Sequence, residues 1–167
     1  MAAPRIVGPR DGHMVFLGGA DARFLVDGDD AGHRFALVEH PLRPRALGAP
    51  MHRHHREDEC SFILEGTMGA QLGDAVIIGH SGDLIFKPRN QWHTFWNAGD
   101  APARILEIIS PAGFENYFRE LGVELAGGAP DPQRLAALCA RYELDMDIAS
   151  VPGLMSRFGV RFYEAAG

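Results

Sequence analysis

Only two cysteines, Cys60 and Cys139, occur in 167 residues, so no disulfide framework holds this chain together. That scarcity points to a reducing compartment, and a cytoplasmic location is the expectation. Basic residues are in deficit: 16 lysines and arginines against 22 acids give a formal net charge of −6. A nucleic-acid partner normally meets a basic face, so that class is set aside. No apolar run approaches the roughly 18 residues of a membrane-spanning helix. The first residues, "MAAPRIVGPRDGH", lack the charged-then-apolar layout of a secretory leader. A nucleophile elbow, a glycine-rich phosphate loop and a zinc-type CxxC pair are missing too. What remains is an ordinary globular composition, 46% apolar, at a length suited to one core with an appendage.

From about Met14 to Ile109 the sequence breaks into short apolar runs separated by glycine and proline. "ARFLV", "FALVEHP", "CSFILEG", "DAVIIG", "DLIFKP", "WHTFW" and "ARILEIIS" have the length and texture of strands. Gly73-Asp74, Gly82-Asp83 and Asn97-Ala98-Gly99-Asp100 supply turns between them. Evenly spaced strands without helical periods between them predict an antiparallel sandwich or barrel.

The texture changes after Ser110. In "SPAGFENYFRELGVEL", Ser110 and Pro111 offer a cap and a first helical residue. Phe114, Tyr117, Phe118 and Leu121 then form one helical face, and Gly122 is placed to end it. A second helix is expected after Asp131-Pro132, with Leu135, Leu138, Cys139 and Tyr142 on its apolar face, and "SVPGLMSRFGVRF" holds room for another helical turn. The predicted organisation is a β-barrel with its N-terminal strands over residues 1–112 and a helical extension packed on it over 113–167.

The chemistry concentrates in "MHRHHREDECS". In a strand, residues two apart point the same way, so His52 and His54 project together while His55 faces opposite. With Glu59 they could hold a divalent first-row metal; calcium and magnesium prefer all-oxygen shells. The alternative is a solvated loop in which Glu57, Asp58 and Glu59 pair with Arg53 and Arg56. A short H-x-H does not choose between them.

A second cluster, "GDLIFKPRNQWHTFWN", changes the balance. Together the two clusters resemble the motifs of the cupin superfamily, G-x5-H-x-H-x3-4-E-x6-G and G-x5-P-x-G-x2-H-x3-N. His52, His54, Glu59 and Gly66 match the first in spacing, and Gly82, Pro88, His93 and Asn97 match the second. Two positions depart: Gly48 lies four residues before His52 rather than six, and Asn90 replaces the interior glycine of the second motif. Asparagine tolerates a positive φ better than other non-glycine residues, so a left-handed turn fits there.

The resemblance implies an all-β fold, an antiparallel double-stranded β-helix (the cupin or jelly-roll barrel), followed here by the helical tail. It implies one divalent transition metal (Fe, Ni, Mn, Co or Zn) held by His52, His54, Glu59 and His93, with Glu59 also the catalytic residue. Met51, Ser61, Ile63, Phe86 and Phe95 are the candidate substrate-binding residues, with Gln71 a further pocket candidate. Glu107, a carboxylate inside an apolar strand, points either into the barrel or to solvent. His13, His33, His40 and His80 are expected at the surface, and Cys60 as a buried structural thiol. Within the superfamily, the stretch resembles single-domain cupins of the quercetin 2,3-dioxygenase type. That implies a small enolisable or aromatic hydroxy-ketone substrate, dioxygen as co-substrate, and a homodimer. An isomerase, lyase or cyclase, or a non-catalytic small-molecule-binding module, are the other readings of the same site.

Overall fold

Alternation of buried and exposed side chains builds the barrel. The computed structural model describes residues 3–163. Its strands are β1 (His13–Val15), β2 (Ala22–Val26), β3 (Ala36–Leu42), β4 (Met51–His54), β5 (Asp58–Glu65) and β6 (Thr67–Leu72). There follow β7 (Ala75–His80), β8 (Leu84–Lys87), β9 (His93–Asn97) and β10 (Ala103–Ser110). The C-terminal part holds α1 (Glu115–Leu125), α2 (Pro132–Arg141), β11 (Leu144–Asp147) and α3 (Val151–Phe158).

The strands form two antiparallel sheets, ordered β1-β2-β3-β10-β5-β8 and β11-β4-β9-β6-β7. This is the jelly-roll architecture expected from the sequence. On β5, Glu59, Ser61 and Ile63 turn inward; on β10, Ala103, Ile105, Glu107 and Ile109 do so. Gly66 carries the chain from β5 to β6 at φ +85°, and a Cβ there would lie 2.7 Å from that of Ala103. Asn90 adopts φ +64°, the left-handed turn its position called for. At the edges of the two sheets, Val76 and Ile78 on β7 and Leu84 and Phe86 on β8 are exposed.

Three apolar clusters frame the interior. One end of the barrel is filled by Ile63, Met68, Ala70, Ile85, Phe95 and Ile105. The other end is closed by Phe114 and Tyr117, with α2 residues Leu138 and Cys139, against Val38 and Ile109. The third lies where α3 packs against Leu47 and Trp96, whose indole stacks on Phe158 at 3.9 Å between ring centres.

The tail departs from expectation in three ways. Ser110 is the last residue of β10 rather than a helix cap, its bond to Pro111 is cis, and α1 begins at Glu115. Gly122 does not end α1. It lies inside the helix, where a Cβ would sit 2.2 Å from Val15 Cγ1, so glycine permits this close packing. The tail also contributes a strand: β11 pairs antiparallel with β4, setting Leu144 opposite His54 and Met146 opposite His52. The second helix starts as expected, its backbone NH groups at Gln133 and Arg134 donating to the Asp131 carboxylate. Among the described residues no helix is long and apolar enough to cross a membrane.

Candidate metal centre

The centre assembles from facing sheets. Alternation on β4 buries His52 and His54 and turns Arg53 and His55 outward; His55 meets Asn90 and Asp145 there. Register pairs His52 with His93 across β4 and β9, while Glu59 arrives from β5 in the opposite sheet. Glu59 Oε2 lies 3.5 Å from His54 Nε2 and 3.4 Å from His93 Nε2. One ligand atom from each of His52, His54, Glu59 and His93 falls within 4.8 Å of the others, and all four residues are buried.

The protonation states suit ligation. Burial, reinforced by the neighbouring His93 and His54 rings, holds His52 well below the ordinary imidazole range. Burial likewise brings His54 down to about 4, against the pull of Glu59. Burial also disfavours the Glu59 anion, yet the Lys87 ammonium and the His54 and His93 rings outweigh it and hold its pKa well below the usual carboxylate range. Neutral imidazoles beside an ionised carboxylate are the forms a metal binds.

His52 Nδ1 and His93 Nδ1 each donate to a backbone carbonyl, of Pro50 and Gln91, at 2.9 Å. A carbonyl only accepts, so each ring carries a proton on Nδ1 and turns its Nε2 inward. Among the described residues, His93 Nε2 and both ring nitrogens of His54 are buried without a hydrogen-bond partner. Buried ring nitrogens left unpaired around a carboxylate are costly unless a cation meets them. The residues therefore fit a divalent transition metal, three nitrogen donors and one oxygen being a borderline-soft set.

Several residues at the centre went unread in the sequence. Lys87 is 2% exposed and its Nζ lies 3.0 Å from Glu59 Oε2 and 2.9 Å from Glu107 Oε2. The open question about Glu107 is resolved inward: it is buried, accepts from Ser61 Oγ at 2.7 Å, and burial pushes it up to about 7 against the pull of Lys87. Glu57 lies in the turn between β4 and β5 with its side chain buried; it faces His54, and burial raises it to about 7. The signal for Lys87 was present, because Ile85 and Lys87 alternate inward along "LIFK".

The same alternation corrects Phe86: expected to line the pocket, it is 53% exposed on the outer face. Met51 likewise turns away from the centre and packs with Leu47 and Trp96 beneath α3. Gln71 faces outward too, accepting from Arg157 at 3.3 Å. Ser61 is interior but engaged with Glu107, while Ile63 and Phe95 belong to the apolar end of the barrel. The Phe95 ring borders the polar layer, with Lys87 Nζ 5.2 Å from its centre. His40, expected at the surface, is buried; its Nδ1 donates to the Asp21 carbonyl and its ring meets Phe118 edge-on. Cys60, expected as buried, is half-buried. The acids and arginines of the loop do not pair among themselves: Asp58 binds Arg89, Arg53 binds Asp145 and Arg56 reaches Glu143.

A family model described as the cupin domain matches residues 39–109, the stretch from β3 through β10. No curated protein matches the sequence. Solved structures agree on the fold. KdgF from a Halomonas species is 15% identical, with a TM-score of 0.60, over 68% of this chain and 99% of that one. A predicted oxalate decarboxylase from Thermotoga maritima is 17% identical, TM-score 0.60, over 64% and 99%. Oxalate decarboxylase from Bacillus subtilis is 23% identical, TM-score 0.55, over 64% of this chain and 29% of its own. The fold is the cupin jelly roll, shared by proteins with different chemistries, so the reaction must be argued from the site.

Proposed function

We propose that this chain is a metal-dependent enzyme that binds a small enolisable or aromatic hydroxy-ketone substrate at the centre of His52, His54, His93 and Glu59, and uses dioxygen as co-substrate. The observation that carries the reading is the convergence of these four buried donors, three of whose imidazole nitrogens lack a hydrogen-bond partner among the described residues. When bound there, a divalent ion supplies positive charge to a substrate oxygen and lowers the cost of an enolate form. His52, His54 and His93 would hold it as neutral donors and Glu59 as the anionic one.

Glu59 is also the residue to take a substrate proton, since its Oε2 faces the volume shared by the histidines. Its depressed pKa makes it a weak base and restricts that role to an acidic enol or hydroxyl proton, which a hydroxy-ketone provides. Lys87 fixes a positive charge beside it, so the layer favours a substrate that arrives as an anion. Phe95, under the Lys87 ammonium, offers an apolar wall for an aromatic or aliphatic body.

One observation favours a second reading, an oxygen-independent isomerase or lyase. The chain Ser61–Glu107–Lys87–Glu59 is a buried file of proton-bearing groups ending at the centre, which suits returning a proton to substrate. An oxygen electrode separates the two. Metal-loaded protein with a panel of small hydroxy-ketones is expected to consume dioxygen in step with substrate, and to lose activity on chelation. Product formed at an undiminished rate under strict anaerobiosis would overturn the dioxygenase reading.

A further inference from the structure

The three histidines of the centre are not held alike. The rings of His52 and His93 are each tied through Nδ1 to the carbonyl two residues earlier, which fixes both tautomer and ring direction. His54 has no such tie: neither ring nitrogen has a hydrogen-bond partner, though the ring is 2% exposed. Its own carbonyl is engaged elsewhere, accepting from the backbone NH of Asn90 at 2.7 Å. On the far side of the ring from Glu59, Glu57 Oε2 lies 3.8 Å from His54 Nδ1. That carboxylate oxygen is also buried and also without a partner, and the residue is 4% exposed.

We infer that Glu57 is the positioning residue of the third imidazole: its carboxylate accepts the Nδ1 proton of His54 and so aims a bare Nε2 at the centre. Two buried orphans facing each other are a hydrogen bond that a shift of under about 1 Å completes, since 3.8 Å exceeds the usual donor–acceptor distance. The edge-on contact of Phe114 with the ring, 4.2 Å between centres, limits the ring's other movements. A charged acceptor on the outer nitrogen makes an imidazole a stronger donor than a carbonyl does. Glu57 would also distinguish this centre from one in which backbone carbonyls alone orient the rings.

This inference rests on the metal reading, and the experiment separates their failures. Zinc affinity is measured by chelator competition for wild type, Glu57→Gln, Glu57→Leu and His54→Ala. Nitrogen-15 shifts of His54 report its tautomer with and without zinc. Glu57→Leu is expected to keep one zinc per chain but bind it about 10–100-fold more weakly. Its His54 is expected to lose the single Nδ1-protonated form, while Glu57→Gln, which keeps an acceptor, loses less on both counts. The His54 tautomer is the readout that a purely structural Glu57 would leave unmoved, whatever Glu57→Leu does to thermal stability. Zinc affinity within twofold of wild type in Glu57→Leu, with zinc lost in His54→Ala, overturns the role of Glu57 alone. A wild type that takes up no stoichiometric zinc overturns it together with the metal reading.

Discussion

The barrel interior is divided between two layers that obey different rules. At one end, Ile63, Met68, Ile85, Phe95 and Ile105 pack apolar side chains from both sheets, as the inward positions of alternating strands ordinarily do. Directly beside them, the same alternation on the same strands delivers Glu59, Ser61, Lys87 and Glu107, with His52, His54 and His93 opposite. On β5 the change from one layer to the other takes two residues, Ser61 to Ile63. The first layer stabilises the fold by leaving water, whereas the second gives up some stability by leaving it. A polar layer of this kind persists where its groups answer one another or a ligand.

The largest expected effect is at the residue holding the polar layer together. Lys87 faces two carboxylates, and among the described residues no other cation pairs with Glu107. Replacing it by methionine leaves buried anions uncompensated, with an expected loss of about 3–5 kcal/mol in the metal-free protein. Adding Glu107→Gln to the same variant should recover much of that loss. Urea unfolding of the metal-free proteins provides the measurement. A cost below about 1 kcal/mol for Lys87→Met would mean that the two carboxylates are already protonated or hydrated, and the contrast between layers would weaken.

The apolar layer should respond with similar energy and no change in chemistry. Ile105 is fully buried among Ile63, Phe95 and Met68, and truncation to alanine should cost about 2–5 kcal/mol. Zinc stoichiometry should survive it. Loss of metal from Ile105→Ala at a temperature where the variant is folded would show the two layers to be mechanically one.

The two layers were unequally legible in the sequence. The four donors could be read because their spacing is local and their types are rare: two histidines on one strand, one carboxylate after a turn, one histidine before an asparagine. Glu57 was not singled out because it sits in a polar run whose other acid, Asp58, does face outward to Arg89. Phe86 was misread because hydrophobicity outweighed alternation, although Lys87 is the inward residue. The alternation of "LIFK" turns Lys87 inward, and the facing Glu59 and Glu107, the latter 20 residues away, make its burial tolerable. The strand β11 escaped for a related reason. "LDMD" is short, and it becomes a strand by pairing with β4, about 90 residues earlier in the chain.

The smallest effect concerns His40, which lies between the layers. Its ring packs against Phe95 of the apolar end and Phe118 of α1, and the nearest charges are Lys87, Glu59 and Glu39. Burial brings its pKa down to about 4, the Asp21 carbonyl opposing only in part. The folded state therefore keeps His40 neutral while the unfolded chain takes up a proton near the ordinary value of 6.5. The stability it permits is full above that value and falls as the pH drops from there toward 4. Between pH 6.5 and 5.5 the loss attributable to this residue is about 1 kcal/mol. In His40→Asn, whose amide can still donate to Asp21, that part of the pH dependence should disappear. Unfolding free energies for both proteins at the two pH values decide the point. Equal losses in wild type and variant would place the proton uptake on other groups, and His40 would then count with the apolar layer as a packing residue.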